Sequence, residues 1–167
     1  DLASIRVLDL GAGNGLVGEA LAKAGVKTLV GVDILDAARR AVRRDRPGIY
    51  TDYLVGDMTD PTPEHKARLG SYCFNAMTCV AALGFGDIPA RAFIECFNQV
   101  EPGGFIAFNI KEDFLDEANE SGFAGLIRMM VEQDALDVQR RQSYTHRLST
   151  SGAPLPYVAF VALKRGD

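Results

Sequence analysis

Apolar residues along this chain fall into two patterns, continuous runs and stretches with helical spacing. Continuous runs are typical of strands buried on both faces of a parallel sheet. They predict strands over 4–10, 26–33, 52–57, 72–80 and 105–110. Helical spacing predicts helices over 15–25, 35–46, 89–100 and 122–133. The second helix is predicted to turn Leu35 inward, and the segment 61–68 is predicted to be a loop because prolines interrupt it.

The end of the chain breaks this alternation. The segments 136–148 and 157–165 are both extended and no helix separates them, so they are predicted to pair antiparallel. Five strand–helix units followed by a hairpin predict an α/β fold. The expected architecture is a Rossmann-like, doubly wound, seven-stranded sheet, mostly parallel with an antiparallel C-terminal strand, in a single domain over 1–167.

Length, charge and cysteine content narrow the class of protein. A chain of 167 residues suits one domain, and without a run of about eighteen apolar residues or a signal-like start it is predicted to be cytoplasmic. The three cysteines lack metal-site spacing, which argues against disulfides and a zinc site. A net charge of -4 gives no general attraction to nucleic acid, and the basic run 39–46 is predicted to be a solvated helix face.

A glycine-rich segment, "DLGAGNGLVG" (9–18), follows the first predicted strand. A backbone without side chains there permits positive φ and close approach of a ligand. The glycines at 13, 15 and 18 satisfy the dinucleotide pattern G-x-G-x-x-G, but that frame begins three residues beyond the strand end. A pyrophosphate would also lie beside the carboxylate of Asp9, which is electrostatically unfavourable.

Acidic residues end the first three predicted strands, at Asp9, Asp33 and Asp57. A cationic ligand suits such a crevice, and S-adenosylmethionine carries both a sulfonium and an ammonium group. Asp33 is placed to accept hydrogen bonds from ribose hydroxyls, and Asp57 from an adenine amino group, with Met58 beside the ring. Each acid taken alone is equally well explained as a turn residue.

Five segments resemble, in order and spacing, the successive motifs of the class I S-adenosylmethionine-dependent methyltransferases. They are "VLDLGAGNG", "GVDIL", "LVGDMTD", "FNAMTCVAALGFGDIP" and "EPGGFIAFNI". Within that superfamily, "GLVGEALAKAG", "CVAALGFGDIP" and "GGFIAFNIKEDFLDEA" are most similar to the methyltransferase-like protein of the Williams-Beuren syndrome region and its relatives. Asn75 stands where the superfamily often has Asp, and the N/D-P-P-Y/F motif of its nucleic-acid and glutamine-modifying branches is missing.

The resemblance implies S-adenosylmethionine as cofactor, a small-molecule acceptor, no metal, and neither nucleic acid nor membrane as partner. It also implies a set of cofactor contacts. Around the methionine part these are Asp9, Gly11, Ala12, Gly13 and Gly15; at the ribose, Asp33; at adenine, Ile34, Asp57 and Met58; and beside the amino acid tail, Cys79 and Val80. Members of the superfamily usually carry helices before the first strand, and none precedes it in this sequence.

No catalytic base can be named from the sequence. His65 lies in the predicted loop, and His146 shares a face of the sixth strand with Tyr144, where a surface or hydrogen-bonded histidine is the simpler interpretation. The residues that follow the fifth strand, Asn109, Lys111 and Glu112, are candidates for the acceptor site. Two alternatives stay open: a non-catalytic cofactor-binding module, and an NAD(P)-dependent oxidoreductase that uses the glycines at 13, 15 and 18.

Overall fold

The computed structural model describes residues 1–83, 87–116 and 118–166. Its strands are β1 (Arg6–Leu10), β2 (Thr28–Asp33), β3 (Asp52–Val55), β4 (Phe74–Leu83), β5 (Val100–Lys111), β6 (Leu136–Leu148) and β7 (Pro154–Lys164). Its helices are α1 (Leu16–Ala24), α2 (Asp36–Asp45), α3 (Pro63–Gly70), α4 (Ala90–Phe97) and α5 (Phe123–Glu132). Short 3-10 turns lie at Leu2–Ser4 and Glu112–Leu115.

The strands form one sheet in the order β3-β2-β1-β4-β5-β7-β6. The pairs from β3 to β5 are parallel, and β7 runs antiparallel to both of its neighbours. This arrangement confirms the predicted fold class. The strand order reverses between β1 and β4, and a crevice at such a point, outside the carboxyl ends of the strands, is where open α/β sheets bind ligands.

The predicted loop over 61–68 is wrong, because α3 occupies most of it. Thr62 caps this helix by accepting a hydrogen bond from the His65 N–H at 3.1 Å, and Pro63 occupies its first turn. Proline is tolerated there because the first N–H groups of a helix have no intrahelical partner. His65 is half-buried, and its ring packs directly over Gly56.

Aromatic rings fix the carboxyl halves of the central strands. Phe93 of α4 meets Phe108 of β5 edge-on at 5.3 Å between ring centroids, and Phe108 stacks on Phe160 of β7 at 4.8 Å. Such contacts add about 0.5–1.5 kcal/mol each beyond the area they bury. They hold β5 against α4 and β7. Across the described ranges, no helix combines the length and apolarity needed to cross a bilayer.

Candidate active site

The segment 11–15, here called the glycine loop, joins β1 to α1. Gly11, Gly13 and Gly15 have φ of 70°, 53° and 86°, all in the left-handed region that favours glycine. A side chain at Gly11 would also collide with Ile88, since a Cβ there would lie 2.7 Å from the Cδ1 atom of that residue. Conformation and close packing therefore both require the bare backbone that the sequence indicated.

Hydrogen bonds from β2 hold the glycine loop against the sheet. The carbonyl of Val32 accepts from the N–H groups of Gly11 at 2.9 Å and Ala12 at 3.1 Å. One carboxylate oxygen of Asp33 accepts from the Gly13 N–H at 2.9 Å, and the other accepts from the Leu35 N–H at 2.9 Å. Asp33 thus ties the loop to the entry of α2, in addition to facing the crevice.

A cavity of about 650 Å³ opens at this edge of the sheet, between the glycine loop and the chain that follows β4. We call it the edge cavity. Its volume falls within the usual range for small-molecule sites. It is lined by Leu10, Gly11, Val32, Asp33, Ile34, Leu35, Gly56, Asp57, Met58, Thr59, Ala82, Asp87, Ile88, Pro89 and Ala92.

The charged side chains in the described wall of the edge cavity are all acidic. Asp33, Asp57 and Asp87 lie in its wall, and among the described lining residues there is no lysine, arginine or histidine. Asp57 accepts hydrogen bonds from the backbone N–H and the hydroxyl of Thr59, which hold the pKa of its carboxyl below the ordinary value. The cavity therefore carries negative charge at neutral pH and favours a cationic ligand over a phosphate.

Apolar side chains in the same wall are open to solvent. Ile34 is 59% exposed and Leu35 is 60% exposed, although both are large and aliphatic. The prediction that Leu35 faces the core is wrong, because α2 begins only at Asp36 and Leu35 belongs to the extended segment before it. Met58, by contrast, is buried where it lines the cavity. These residues provide an apolar surface for a flat ring.

Asp9 lies beneath the edge cavity and does not line it. Its side chain is 1% exposed, and its two oxygens accept from the Tyr50 hydroxyl at 2.6 Å and the Thr78 hydroxyl at 2.7 Å. Burial raises the pKa of this carboxyl to about 6 despite both hydrogen bonds, and the nearby charge of Asp33 raises it further. The predicted acid at the loop entrance is thus a buried group that titrates near neutrality.

Five of the eleven predicted cofactor contacts line the edge cavity: Gly11, Asp33, Ile34, Asp57 and Met58. The others lie outside its wall: Asp9, Ala12, Gly13, Gly15, Cys79 and Val80. Cys79 is completely buried in the core, and burial raises the pKa of its thiol well above the ordinary value. Asn75 lies at the opposite end of β4, where its side chain accepts from the Arg6 N–H at 2.7 Å.

Several lining residues are not among the predicted cofactor contacts. Ala82, Asp87 and Ile88 line the cavity, and an isolated bridge joins Leu83 to Ile88. Asp87 alone resembles any other turn acid in the sequence, so no local signal marks it. The sequence feature that could have placed these residues at the site is the whole methyltransferase-like segment "FNAMTCVAALGFGDIP" (74–89).

Gly18 has a structural explanation that involves no ligand. A Cβ on this residue would lie 2.5 Å from the ring and the hydroxyl of Tyr50, the same hydroxyl that donates to Asp9. The third glycine of the dinucleotide frame is therefore required for packing between α1 and Tyr50. Gly18 by itself is therefore no evidence for a pyrophosphate site.

A second cleft, of about 320 Å³, lies between α2 and β3. Arg39, Arg43 and Arg68 contribute to its wall, but Arg68 is paired with Asp52, the first residue of β3. The cleft is therefore at the amino end of this parallel strand, away from the switch-point edge. We regard the edge cavity as the candidate active site.

A family model described as a methyltransferase domain matches residues 8–108. A ubiquinone biosynthesis O-methyltransferase of Thiobacillus denitrificans is 31% identical over 110 residues, which cover 65% of this chain and 45% of the relative. A protein of the same description from Shewanella halifaxensis is 29% identical over 108 residues, covering 62% and 42%. The chain spans less than half the length of these curated relatives.

Solved structures share the fold over nearly the whole chain. The N-methyltransferase NodS from Bradyrhizobium japonicum superimposes with a TM-score of 0.69 at 17% identity, covering 97% of this chain and 86% of that one. A SAM-dependent methyltransferase from Methanosarcina mazei gives a TM-score of 0.68 at 15% identity, covering 97% and 93%. Identities this low establish the common fold alone.

Proposed function

The chain belongs to the methyltransferase-domain family, and from this premise we propose that it binds S-adenosylmethionine in the edge cavity and transfers the methyl group to a small-molecule acceptor. Membership confirms the sequence-based prediction of a methyltransferase at the level of the family. The narrower similarity to the Williams-Beuren region protein stays a prediction, as do the cytoplasmic location and the absence of a nucleic-acid partner.

The observation that carries the proposal is the charge of the edge cavity. Its wall has three carboxylates and, among the described residues, no basic side chain, whereas a nicotinamide dinucleotide would bring a pyrophosphate. S-adenosylmethionine carries a sulfonium and an ammonium group and no phosphate, so the summed negative charge of this wall favours it. The carboxylates in the cavity wall therefore fit the family's cofactor and disfavour a nicotinamide dinucleotide.

Individual lining residues suit the parts of this cofactor. Asp33 would accept hydrogen bonds from the ribose hydroxyls, and Asp57 from the adenine amino group. The exposed side chain of Ile34 and the thioether of Met58 would pack on the adenine ring. Gly11 has no side chain and would let the methionine part of the cofactor approach the backbone. The positive φ angles of Gly13 and Gly15 determine the path of the loop backbone next to it.

The chemical class of the methyl acceptor is also part of the proposal. The curated relatives are O-methyltransferases of ubiquinone biosynthesis, and this supports a small molecule with an oxygen acceptor for the present chain. Methyl transfer is an in-line displacement at an activated sulfonium carbon, so orientation of the acceptor and exclusion of water provide much of the acceleration. A proton acceptor is needed in addition if the acceptor is a neutral hydroxyl.

We expect S-adenosylhomocysteine to bind and Asp33→Ala to weaken its binding by about 1.5–3 kcal/mol, the usual effect of a lost hydrogen bond to a charged group. Isothermal titration calorimetry measures the change directly. Asp60→Ala is a matched control, because that carboxylate is exposed and outside the cavity wall. Equal affinity in wild type and Asp33→Ala, or tight binding of NADH by the wild type, contradicts the proposed function.

A further inference from the structure

Two strands carry bulges at the carboxyl edge of the sheet. In β4, residues 80–82 stand opposite Asn109 of β5, between the pairs Cys79–Phe108 and Leu83–Ile110. In β6, His146 is the extra residue between the pairs Thr145–Pro156 and Arg147–Leu155. Bulges of this kind frequently re-aim side chains beside active sites.

A chain of hydrogen bonds joins the two bulges. The N–H of Ala81, whose φ is 59°, donates to the Asn109 Oδ1 atom at 2.5 Å. The Asn109 Nδ2 atom donates to the Tyr144 hydroxyl at 2.7 Å, and that hydroxyl lies 3.2 Å from the Nδ1 atom of His146. The contact crosses β7 at the small residue Ala159, which pairs with Asn109.

The direction of each hydrogen bond follows from this geometry. A backbone N–H can only donate, so it fixes the oxygen of the Asn109 amide toward Ala81 and the NH₂ group toward Tyr144. The Tyr144 oxygen therefore accepts from Asn109, and its own proton is available to the Nδ1 atom of His146. In this arrangement the Nδ1 atom of His146 is the acceptor of the Tyr144 proton.

The chain of hydrogen bonds begins beside the edge cavity. Ala81 precedes Ala82, which lines the cavity, and a Cβ on Gly11 would lie 3.0 Å from the Ala82 Cβ atom. Because β7 is antiparallel to both β5 and β6, those two strands run in the same direction and end at the same edge. Tyr144 and His146 thus lie at the same edge of the sheet as the cavity, beyond β5, and reach it through Asn109 and Ala81 without lining it.

Both side chains are accessible. Tyr144 and His146 are half-buried, whereas Asn109 is buried. The titratable groups that face the imidazole are Tyr144 on its own strand and Tyr157 of β7, whose ring centroid lies 4.4 Å away. Lys111 of β5 pairs with Tyr157 in the sheet and is the next charged group beyond it.

We propose that Tyr144 and His146 form a proton relay for methylation of a neutral hydroxyl acceptor; this inference rests on the proposed function. The acceptor oxygen forms the new bond to the methyl carbon, while the carbon–sulfur bond breaks and its electron pair stays on sulfur. The acceptor's proton passes to the Tyr144 oxygen as the Tyr144 proton passes to Nδ1 of His146. The imidazolium then releases a proton to solvent. Asn109 is a positioning residue that orients the Tyr144 hydroxyl.

The test uses Tyr144→Phe and His146→Gln, with Tyr157→Phe as the matched control. The Tyr157 ring packs against the same imidazole, but its hydroxyl is not part of the hydrogen bonds that join Ala81, Asn109, Tyr144 and His146. The probes are 4-methoxyphenol, which is neutral in mildly alkaline buffer, and 4-nitrophenol, which is already ionised there. We expect kcat with 4-methoxyphenol to fall by at least about 100-fold in both variants, as for a lost general base, and with 4-nitrophenol by only a few-fold.

The pH profile separates a relay from a structural role. The relay needs an unprotonated Nδ1 atom, so the wild-type rate with 4-methoxyphenol falls in acid, and His146→Gln loses this acidic limb. Equal losses for both phenols, or an unchanged acidic limb in His146→Gln, overturn the relay.

A readout independent of turnover completes the test. With protein saturated with S-adenosylhomocysteine, 4-methoxyphenol should shift the ¹⁵N resonances of the His146 ring in the wild type but not in Tyr144→Phe. If neither phenol is methylated and neither shifts these resonances, the relay is overturned while the proposed function stands, provided S-adenosylhomocysteine binds. If S-adenosylhomocysteine does not bind the wild type, the proposed function is wrong, and the relay that rests on it is wrong as well.

Discussion

Alanine at position 18 is expected to destabilise the protein, and alanine at position 125 to stabilise it, although both glycines lie inside helices. A Cβ on Gly18 would lie 2.5 Å from Tyr50, whereas nothing lies within 4 Å of a Cβ on Gly125. Glycine-to-alanine substitution in an open helix position gains about 0.5–1 kcal/mol. Overpacking costs about 1–3 kcal/mol, and displacing Tyr50 also removes a hydrogen bond from the buried carboxyl of Asp9.

Chemical denaturation of both variants measures the difference. We expect Gly18→Ala to lose about 2–4 kcal/mol in the free energy of unfolding, and Gly125→Ala to gain up to about 1 kcal/mol. If Gly18→Ala were as stable as the wild type while losing affinity for a nucleotide, the glycine would belong to a ligand site and the packing explanation would be wrong. Tyr50→Phe checks the second part, because it removes the hydroxyl without creating a clash.

The sheet could be predicted because each strand is recognisable from its own local sequence. Continuous apolar runs such as 26–33 become buried parallel strands, and the two extended segments at the end of the chain become the antiparallel pair β6 and β7. The helix α3 differs from the predicted loop because Pro63 lies in its first turn, where proline is compatible with a helix. A threonine directly before Pro63 was the available signal.

The candidate site could be predicted only where its residues lie at the end of a strand or just beyond it. Asp33 is the last residue of β2, Asp57 lies two residues after β3, and both line the edge cavity. The burial of Asp9 depends on Tyr50 and Thr78, which come from other parts of the chain. The contact between Asn109 and Tyr144 depends on β7 lying between β5 and β6, and no spacing in the sequence encodes it.

Asp9 should make the stability of the protein fall as pH rises toward neutrality. Its pKa is raised from 3.8 in a free carboxyl to about 6 in the fold, so between these values the folded state binds a proton that the unfolded state has released. The stabilisation is fully present below about pH 4 and is lost by about pH 6, and it amounts to about 3 kcal/mol. Carboxyls with lowered pKa values, such as Asp57, titrate below this window and have the opposite slope.

Asp9→Asn isolates this effect, because an amide has a similar shape and does not titrate. The unfolding free energy of Asp9→Asn minus that of the wild type should increase by about 3 kcal/mol between pH 4 and pH 7 in urea titrations. Thr78→Val is the control: it removes a donor to Asp9, so the pKa of the carboxyl should rise further and the slope should persist.

A cationic cofactor above the loop would favour the ionised form of the Asp9 carboxyl. S-adenosylhomocysteine retains the ammonium group, so its binding should release protons near pH 6. Calorimetry in two buffers of different ionisation enthalpy detects this release, and its persistence in Asp9→Asn would assign it to another group.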